Sequence, residues 1–478
     1  MKKRLAEIEK TSKLLEPGSQ ERLKIREQVI HYTEDFLNTI ESKPAFVQSK
    51  ENGVGLLKSP IQEEPVSIET ILDLIHKNVD TPGLNPASGG HLGYIPGGGI
   101  YSSSLGDYMA DITNRYAGLF FAGPGAVRME NMLIDWMANT IGYPKGFAGN
   151  LSSGGSIANL IAIVTARDSF DIKARDIEKT VIYATAHSHH CIDKAIRIAG
   201  LKEAIRRNIT MDDCYKMQNE KLEQQIISDL KDGLKPFMII ASAGTTDVGA
   251  IDPLKSIGLL AEKYKLWYHI DGAYGAFFAL TDEGRKKLEG MELSDSIVMD
   301  PHKGLFLPYG IGAVIIRKKE LLYKSHFYAA NYMQDALKAP EELSPAELSP
   351  ELTKHFRGLR MWLPLKLHGV KPFRACLEEK LLLAKYFYLE IQKLGFEVGP
   401  EPELSVITFR YVPKNKKEDA DKFNEMLINE IHKDGRVFLS SSRLNGNYIL
   451  HLAILSFRTH LSTIDLTLQI LENLVRNA

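Results

Sequence analysis

The chain has 478 residues, 44% hydrophobic and 25% charged, which is the composition of an ordinary globular protein with a large core. Its formal net charge of −1 gives no field that would attract nucleic acid or an anionic membrane. There is no apolar run of about 18 residues, and Met1 to Lys10 lacks the apolar core of a signal peptide, so we expect no membrane span or export signal. Three widely spaced cysteines, Cys191, Cys214 and Cys376, predict neither disulfides nor a zinc site and favour a reducing cytoplasm.

Helical and strand periodicities divide the chain into three predicted segments. Residues 1–100 contain helical patterns, including Ile68 to Ile75. We expect this segment to be unable to form a core of its own. Residues 101–362 alternate helical and strand runs, which predicts an α/β domain with a mainly parallel sheet covered on both faces. Residues 363–478 mix helices with strands and predict a smaller α+β domain.

Individual elements are predicted from residue 101 onward. In the α/β segment they are helices at Met129 to Ile141 and Ser156 to Ala166, and strands at Thr180 to Ala184, Phe237 to Ala241, Leu266 to Ile270 and Ile297 to Met299. In the last segment they are a helical run from Leu363 to Glu390, strands at Leu404 to Tyr411 and Tyr448 to Ile454, and a helix at Leu461 to Val475. A patch rich in proline and glutamate, Pro340 to Glu351, predicts an exposed loop.

A lysine stands where one apolar strand ends. The run Ile297 to Met299 leads into Asp300-Pro301-His302-Lys303-Gly304, and another apolar run begins at Gly312. An amine is nucleophilic only when neutral, and burial and a neighbouring cation such as His302 both favour loss of its proton. Lys303 is therefore a candidate for Schiff-base formation. A solvated lysine in a turn between two strands is the alternative.

A glycine loop precedes the predicted helix at Ser156. In Ser152-Ser153-Gly154-Gly155-Ser156 the glycines let the backbone approach a ligand closely, and the helix N-terminus offers free N–H groups to an anion such as a phosphate. A helix capped by Ser153 or Ser156 after a flexible turn is the alternative.

Three histidines follow the predicted strand at Thr180 to Ala184. His187, His189 and His190 lack the i, i+4 pair of a helical metal site, and no acidic or cysteine ligand stands at a recognised spacing from them. We expect no metal here. One imidazole stacked on an aromatic cofactor is the favoured function.

Two more strands end in polar loops. Ser242 to Thr246 supplies small residues that meet a ligand through backbone and hydroxyl groups, although this signal is weak alone. Asp271 ends the strand Leu266 to Ile270, and a buried aspartate needs a cationic partner such as a protonated ring nitrogen.

The strand-end loops together indicate one ligand, because open α/β sheets bind ligands at the carboxyl ends of their strands. The glycine loop suits a phosphate and the histidine an aromatic ring, while Asp271 suits a ring nitrogen and Lys303 an aldehyde. These four features describe pyridoxal phosphate (PLP).

Two of the loops resemble a known family. Ser153 to Asn159 looks like the glutamate-decarboxylase form of a phosphate loop, and Asp300-Pro301-His302-Lys303 matches the cofactor-lysine motif of the PLP-dependent group II amino acid decarboxylases. The resemblance runs from about His91 to the C-terminus. It implies an aspartate aminotransferase-like large domain (fold type I) with a seven-stranded-type sheet, and a homodimer with a shared active site and an N-terminal arm wrapped over the partner. It also implies decarboxylation of an L-amino acid, aromatic or acidic, to the amine and CO2.

The resemblance also implies roles by motif position. Lys303 would bind the cofactor aldehyde, Asp271 would pair with the ring nitrogen, and His189, which holds the family's spacing to Asp193-Lys194-Ala195, would stack on the ring. A tyrosine that the family keeps on a mobile loop falls on Tyr332, which we expect to donate a proton. Other expected cofactor neighbours are Gly154, Gly155, Ser156, Thr246, Ala273 and His302.

Two positions depart from the family pattern. Asp300 stands where several relatives have asparagine, and its carboxylate would repel a phosphate, so any contact is expected through backbone. His451 replaces a usual arginine that can help to hold a substrate carboxylate. Tyr94-Ile95-Pro96 resembles aromatic decarboxylases, whereas Asn114 to Phe121 resembles glutamate decarboxylases. A PLP-dependent carbon–carbon lyase, an aldehyde-forming relative and a non-catalytic binding protein remain alternatives.

Overall fold

The computed structural model describes residues 1–95, 97–328, 342–413 and 420–476. The helices are α1 Lys2–Ser12, α2 Ser19–Asn38, α3 Val54–Leu57, α4 Ile68–Ile75, α5 Tyr101–Thr113, α6 Pro124–Thr140, α7 Gly155–Ser169, α8 Cys191–Ile198, α9 Asn219–Lys231, α10 Leu254–Tyr264, α11 Asp282–Lys287, α12 Pro301–Gly304, α13 Lys319–His326, α14 Arg357–His368, α15 Lys371–Lys393, α16 Ala420–Asp434 and α17 Leu461–Arg476. The strands are β1 Phe46–Val47, β2 Gly83–Leu84, β3 Ala148–Ser152, β4 Thr180–Ala184, β5 Ile205–Asn208, β6 Lys235–Ser242, β7 Trp267–Asp271, β8 Ser296–Met299, β9 Gly312–Ile316, β10 Phe396–Val398, β11 Val406–Tyr411, β12 Ser440–Leu444 and β13 Asn447–Ala453.

The central sheet has seven strands in the order β3-β9-β8-β7-β6-β4-β5. Strands β4 to β8 pair in parallel, whereas β9 runs antiparallel to both β3 and β8. Alternate residues of β6 enter opposite cores: Ile239 packs into one apolar cluster, and Met238 and Ile240 pack into the other. The predicted α/β fold with a mainly parallel sheet covered on both faces is therefore confirmed.

The C-terminal part contains an antiparallel sheet of order β10-β11-β13-β12. Its core combines strand residues with Phe387 of α15, Leu427 of α16 and Ile464 of α17. The predicted mixture of helices and strands is confirmed. The predicted single helical run from Leu363 to Glu390 is wrong, because Gly369, at φ 69°, ends α14 before α15 begins.

The proline- and glutamate-rich patch is not an exposed loop over its described part, residues 342–351. Pro345 and Leu348 are buried, and Leu348 belongs to the apolar cluster on one face of the sheet. The Asn150 side chain on β3 donates to the Pro345 carbonyl at 3.2 Å. The prediction failed because composition does not report such tertiary contacts.

The N-terminal arm contributes little to these cores. Neither α1 nor α2 has a buried residue. The division into 1–100, 101–362 and 363–478 remains a prediction. Within the described ranges, no helix has the length and apolar character needed to cross a membrane.

Candidate active site

A cavity of about 370 Å³ lies where β4, β6, β7 and β8 end. Parallel strands bring their carboxyl ends to the same edge of a sheet, which is why loops distant in sequence meet here. The predicted cofactor residues all line this cavity: Gly154, Gly155, Ser156, His189, Thr246, Asp271, Ala273, His302 and Lys303.

The glycine loop forms one wall of the cavity at the start of α7. A Cβ at Gly155 would lie 2.8 Å from the Asp300 carboxylate, and a Cβ at Gly312 would overlap Gly154. Side chains at these positions would therefore close the wall. The first N–H groups of α7 have no acceptor within the helix, so this end of the helix favours an anion.

Lys303 projects into the cavity from α12, directly after β8. Its Nζ lies 3.1 Å from Oδ2 of Asp300, which is 1% exposed. Burial lowers the pKa of Lys303, but Asp300 and Asp271 oppose it and the net effect is a raised pKa. The expectation that its surroundings favour loss of the proton is thus wrong for the cofactor-free protein, because two carboxylates outweigh burial.

His302 does not act as the expected neighbouring cation. Its Nδ1 contacts the Ile311 carbonyl, and burial lowers its pKa despite the Asp300 carboxylate 3.5 Å from Nε2. The neutral imidazole is therefore favoured. The Asp300 side chain itself reaches Lys303 and His302, while its Oδ1 has no hydrogen-bond partner among the described residues.

His189 faces the cavity just after β4. The Cys191 backbone N–H donates to its Nδ1 at 3.3 Å, so a neutral His189 carries its proton on Nε2. Burial lowers the pKa of His189, and the Asp271 carboxylate is the main opposing influence. These contacts leave a neutral ring beside the cavity.

Asp271 occupies the last position of β7 and lies partly buried in the cavity wall. The backbone N–H of Ala273 donates to its Oδ1 at 3.2 Å, and the Asn159 side-chain amide donates to its Oδ2 at 3.4 Å. Both oxygens keep lone pairs for a cationic ligand group.

Sequence reasoning missed several wall residues. Asn159, Cys191 and Tyr274 also line the cavity. Asn159 is fully buried although it lies in an otherwise apolar stretch of α7, and that isolated amide was the signal that could have revealed it. Cys191 and Tyr274 resemble ordinary core residues, so no sequence signal marked them.

Tyr332 lies outside the described residues, so its predicted role stays a prediction. In the parts of the chain that the structure describes, no group of three or more His, Cys, Asp or Glu side chains is arranged to hold a metal ion.

The fold and the cavity agree with comparisons to known proteins. The model of the pyridoxal-dependent decarboxylase conserved domain matches residues 51–412. The chain belongs to this family. It is a PLP-dependent carboxy-lyase, and the predicted cofactor and enzyme class are confirmed.

Similar proteins extend over nearly the whole chain. An aromatic-L-amino-acid decarboxylase of Bacillus atrophaeus is 31% identical over 453 residues, covering 94% of each protein. A phenylacetaldehyde synthase of Arabidopsis thaliana is 26% identical over 460 residues, covering 93% of this chain and 94% of that protein. The crystal structure of Oryza sativa TDC with PLP and tryptamine matches with a TM-score of 0.91 at 22% identity, covering 96% of this chain and 98% of that one. The predicted fold type I architecture is therefore confirmed.

The donor set of the cavity fits PLP. One cavity combines a lysine amine, an aspartate carboxylate and a glycine loop at a helix N-terminus. These groups match the aldehyde, the ring nitrogen and the phosphate of the cofactor.

We predict that Asp300→Asn lowers the pKa of Lys303 in the cofactor-free decarboxylase, because it removes a carboxylate that stabilises the ammonium. The pH dependence of pyridoxal capture, trapped by borohydride and located by mass spectrometry, should shift to lower pH. Asp193→Asn, at a side chain that is 59% exposed, serves as the control. An Asp300→Asn profile identical to wild type would refute this electrostatic role.

Proposed function

We propose that this decarboxylase converts an aromatic L-amino acid into the corresponding amine and CO2, with PLP bound at Lys303. The observation that carries the proposal is the convergence of Lys303, Asp271 and the glycine loop on one cavity. The aromatic-L-amino-acid decarboxylase of Bacillus atrophaeus, similar over 94% of the chain, supports the substrate class.

In this proposal different residues of the cavity bind different parts of the cofactor. Lys303 would hold the aldehyde carbon of the cofactor through its amine. The α7 N-terminus with Gly154, Gly155 and Ser156 holds the phosphate. Bound PLP supplies an electron-accepting ring for the electrons released with CO2.

Asp271 and His189 control the ring environment. Asp271 keeps the ring nitrogen protonated, and at about 4 Å two unit charges gain roughly 4 kcal/mol at an effective dielectric near 20. The neutral His189, with its proton on Nε2, would pack against the face of the ring. Thr246 and Ala273 complete the wall, and Tyr332 delivers a proton to the carbon that has lost its carboxylate.

His451 supports an aromatic rather than an acidic substrate. Its Nε2 lies 2.7 Å from Ser442 Oγ, and burial lowers its pKa to about 4, although Asp247 opposes that shift. At neutral pH His451 is uncharged, so it does not replace an arginine as the partner of a substrate carboxylate.

The same proposal includes a homodimer with a shared active site. On α5, Leu105, Tyr108, Met109 and Ile112 are all exposed and follow the i, i+3, i+4, i+7 spacing of one helix face. Apolar stripes of this kind are usually covered by a partner. The arm helices α1 and α2, which bury no residue within the chain, are proposed to cover the second copy.

A cytoplasmic location is also proposed. The three cysteines are unpaired, and one of them, Cys214, is exposed, which suits a reducing compartment.

The substrate prediction is tested by CO2 release from a panel of L-amino acids with the PLP-loaded protein. Release from aromatic amino acids is expected, and Lys303→Ala should reduce it to background because the amine that binds the cofactor is lost. Release from glutamate or aspartate alone would overturn the aromatic assignment. No release from any amino acid would favour a lyase on a different carbon–carbon bond.

The role of Tyr332 is tested by the product of the Tyr332→Phe variant. Loss of a positioned proton donor should lower amine formation by about 10²–10⁴-fold. Without that proton the decarboxylated substrate would react with dioxygen and water to give aldehyde, ammonia and hydrogen peroxide, so product analysis and oxygen uptake are measured together. Normal amine formation without aldehyde would exclude this role. Aldehyde from the wild type would favour an activity like that named for the Arabidopsis thaliana relative.

The dimer prediction is tested by Ile112→Glu, at a side chain that is 70% exposed. Burying an unpaired carboxylate costs several kcal/mol, so the dissociation constant should rise at least about 100-fold in sedimentation equilibrium. Leu382→Glu, at 66% exposure on α15, is the matched control and should leave the dimer intact. Equal effects of the two variants, or a monomeric wild type, would argue against this interface.

A further inference from the structure

A series of hydrogen-bonded polar side chains, called the polar series below, extends from Asp271 into the sheet. Trp267, His269 and Asp271 occupy alternate positions of β7 and therefore lie on the same face of the strand. His269 pairs in register with Ser296 of β8, and α7 places Asn159 between His269 and Asp271. Asn159, His269 and Ser296 are fully buried.

Four hydrogen bonds connect these groups. Trp267 Nε1 lies 2.8 Å from Ser296 Oγ, and Ser296 Oγ lies 2.8 Å from His269 Nδ1. His269 Nε2 lies 2.7 Å from Asn159 Oδ1, and Asn159 Nδ2 lies 3.4 Å from Asp271 Oδ2. The polar series thus ends at the Asp271 carboxylate, which is proposed to hold the ring nitrogen of PLP.

The groups at the two ends of the polar series determine where the hydrogen-bonding protons lie. An ionised Asp271 only accepts, so the Asn159 amide must turn its N–H toward Asp271 and its oxygen toward His269. That oxygen also only accepts, so His269 carries its proton on Nε2. Burial lowers the pKa of His269 to about 4, so at neutral pH the ring is uncharged and its Nδ1 accepts.

The hydrogen bonds at the Trp267 end of the polar series are consistent with this His269 tautomer. The indole N–H of Trp267 only donates, which leaves Ser296 free to donate its own hydroxyl hydrogen to His269 Nδ1. Every hydrogen bond therefore points toward Asp271. Reversing the His269 tautomer would set its bare Nε2 against the Asn159 oxygen, and flipping the amide would set that oxygen against the carboxylate.

We propose that His269 is a positioning residue that holds the Asn159 N–H on Asp271 and so maintains the protonated ring nitrogen of bound PLP. The proposal rests on the function proposed above for Asp271. The charged and titratable groups that act electrostatically with Asp271 are Lys303, His189, Cys191 and His269. Two of these groups contact the Asn159 amide: Cys191 Sγ lies 3.5 Å from its nitrogen, whereas His269 Nε2 lies 2.7 Å from its oxygen and thereby orients the amide toward Asp271.

Two polar substitutions of His269 test whether the residue positions Asn159 or only provides hydrogen-bond partners for buried polar groups. In His269→Gln the side-chain amide reaches the place of Nε2 and still donates to Asn159. In His269→Asn the shorter amide occupies the place of Nδ1, remains next to Ser296 and fails to reach Asn159. Asn159→Leu, similar in size but without hydrogen-bonding groups, removes the contact to Asp271 in a second way.

The readout is the nitrogen-15 chemical shift of PLP labelled at its ring nitrogen and bound to the full-length protein at neutral pH. This shift reports protonation of the ring nitrogen and does not depend on turnover. The wild type and His269→Gln should show the protonated position. His269→Asn and Asn159→Leu should both move toward the free-base position.

Two results would overturn the proposal, and they differ in meaning. If His269→Asn and Asn159→Leu keep the protonated shift, the polar series only provides partners for buried polar groups. His269 then has no positioning role, while the role of Asp271 stands. If the wild type already shows the free-base shift, the role of Asp271 is itself wrong, and the positioning role falls with it. If His269→Asn does not fold, Asn159→Leu decides between these results alone.

Discussion

The partly buried ammonium of Lys303, whose side chain is 25% exposed, sets the charge balance of the cavity. An amine at the end of a buried strand is stable only with compensating charge, and Asp300 and Asp271 provide it from the ends of β8 and β7. The same carboxylates keep the amine protonated until a cofactor arrives. Burial lowers the pKa values of His302 and His189, so these neutral rings do not compete with Lys303 for the two carboxylates.

The charge balance changes when a phosphate and a ring nitrogen enter. The α7 N-terminus and the glycine loop offer N–H groups to a phosphate. The Asp300 carboxylate lies next to Gly155, and its Oδ1 has no hydrogen-bond partner in the part of the chain that the structure describes. Asp271 keeps its N–H donors from Ala273 and Asn159 and has capacity for a cationic ring nitrogen. Asp300 thus pairs with Lys303 at 3.1 Å, and Asp271 is the proposed partner of the ring nitrogen.

The C-terminal part of the chain is attached to the wall of this cavity. The Tyr274 hydroxyl accepts from the Ser405 backbone N–H at 2.8 Å and contacts Ser405 Oγ at 2.7 Å. Glu403 accepts from the Ile251 N–H at 2.7 Å and pairs with Lys216 at 2.6 Å. These contacts connect the segment before β11 to the loops after β5, β6 and β7, so the small antiparallel sheet is fixed to the wall of the cavity.

Apolar periodicity and strand ends are local properties, so the sequence alone predicted the α/β class, several of the central strands and the strand-end positions of Lys303 and Asp271. It also pointed to PLP, since each loop carried one recognisable chemical group. Only the three-dimensional structure shows that the pKa of Lys303 is raised, that Pro345 and Leu348 are buried, and that Asn159 contacts His269. These depend on distances between residues far apart in the chain, and electrostatic and packing energies follow those distances rather than sequence spacing.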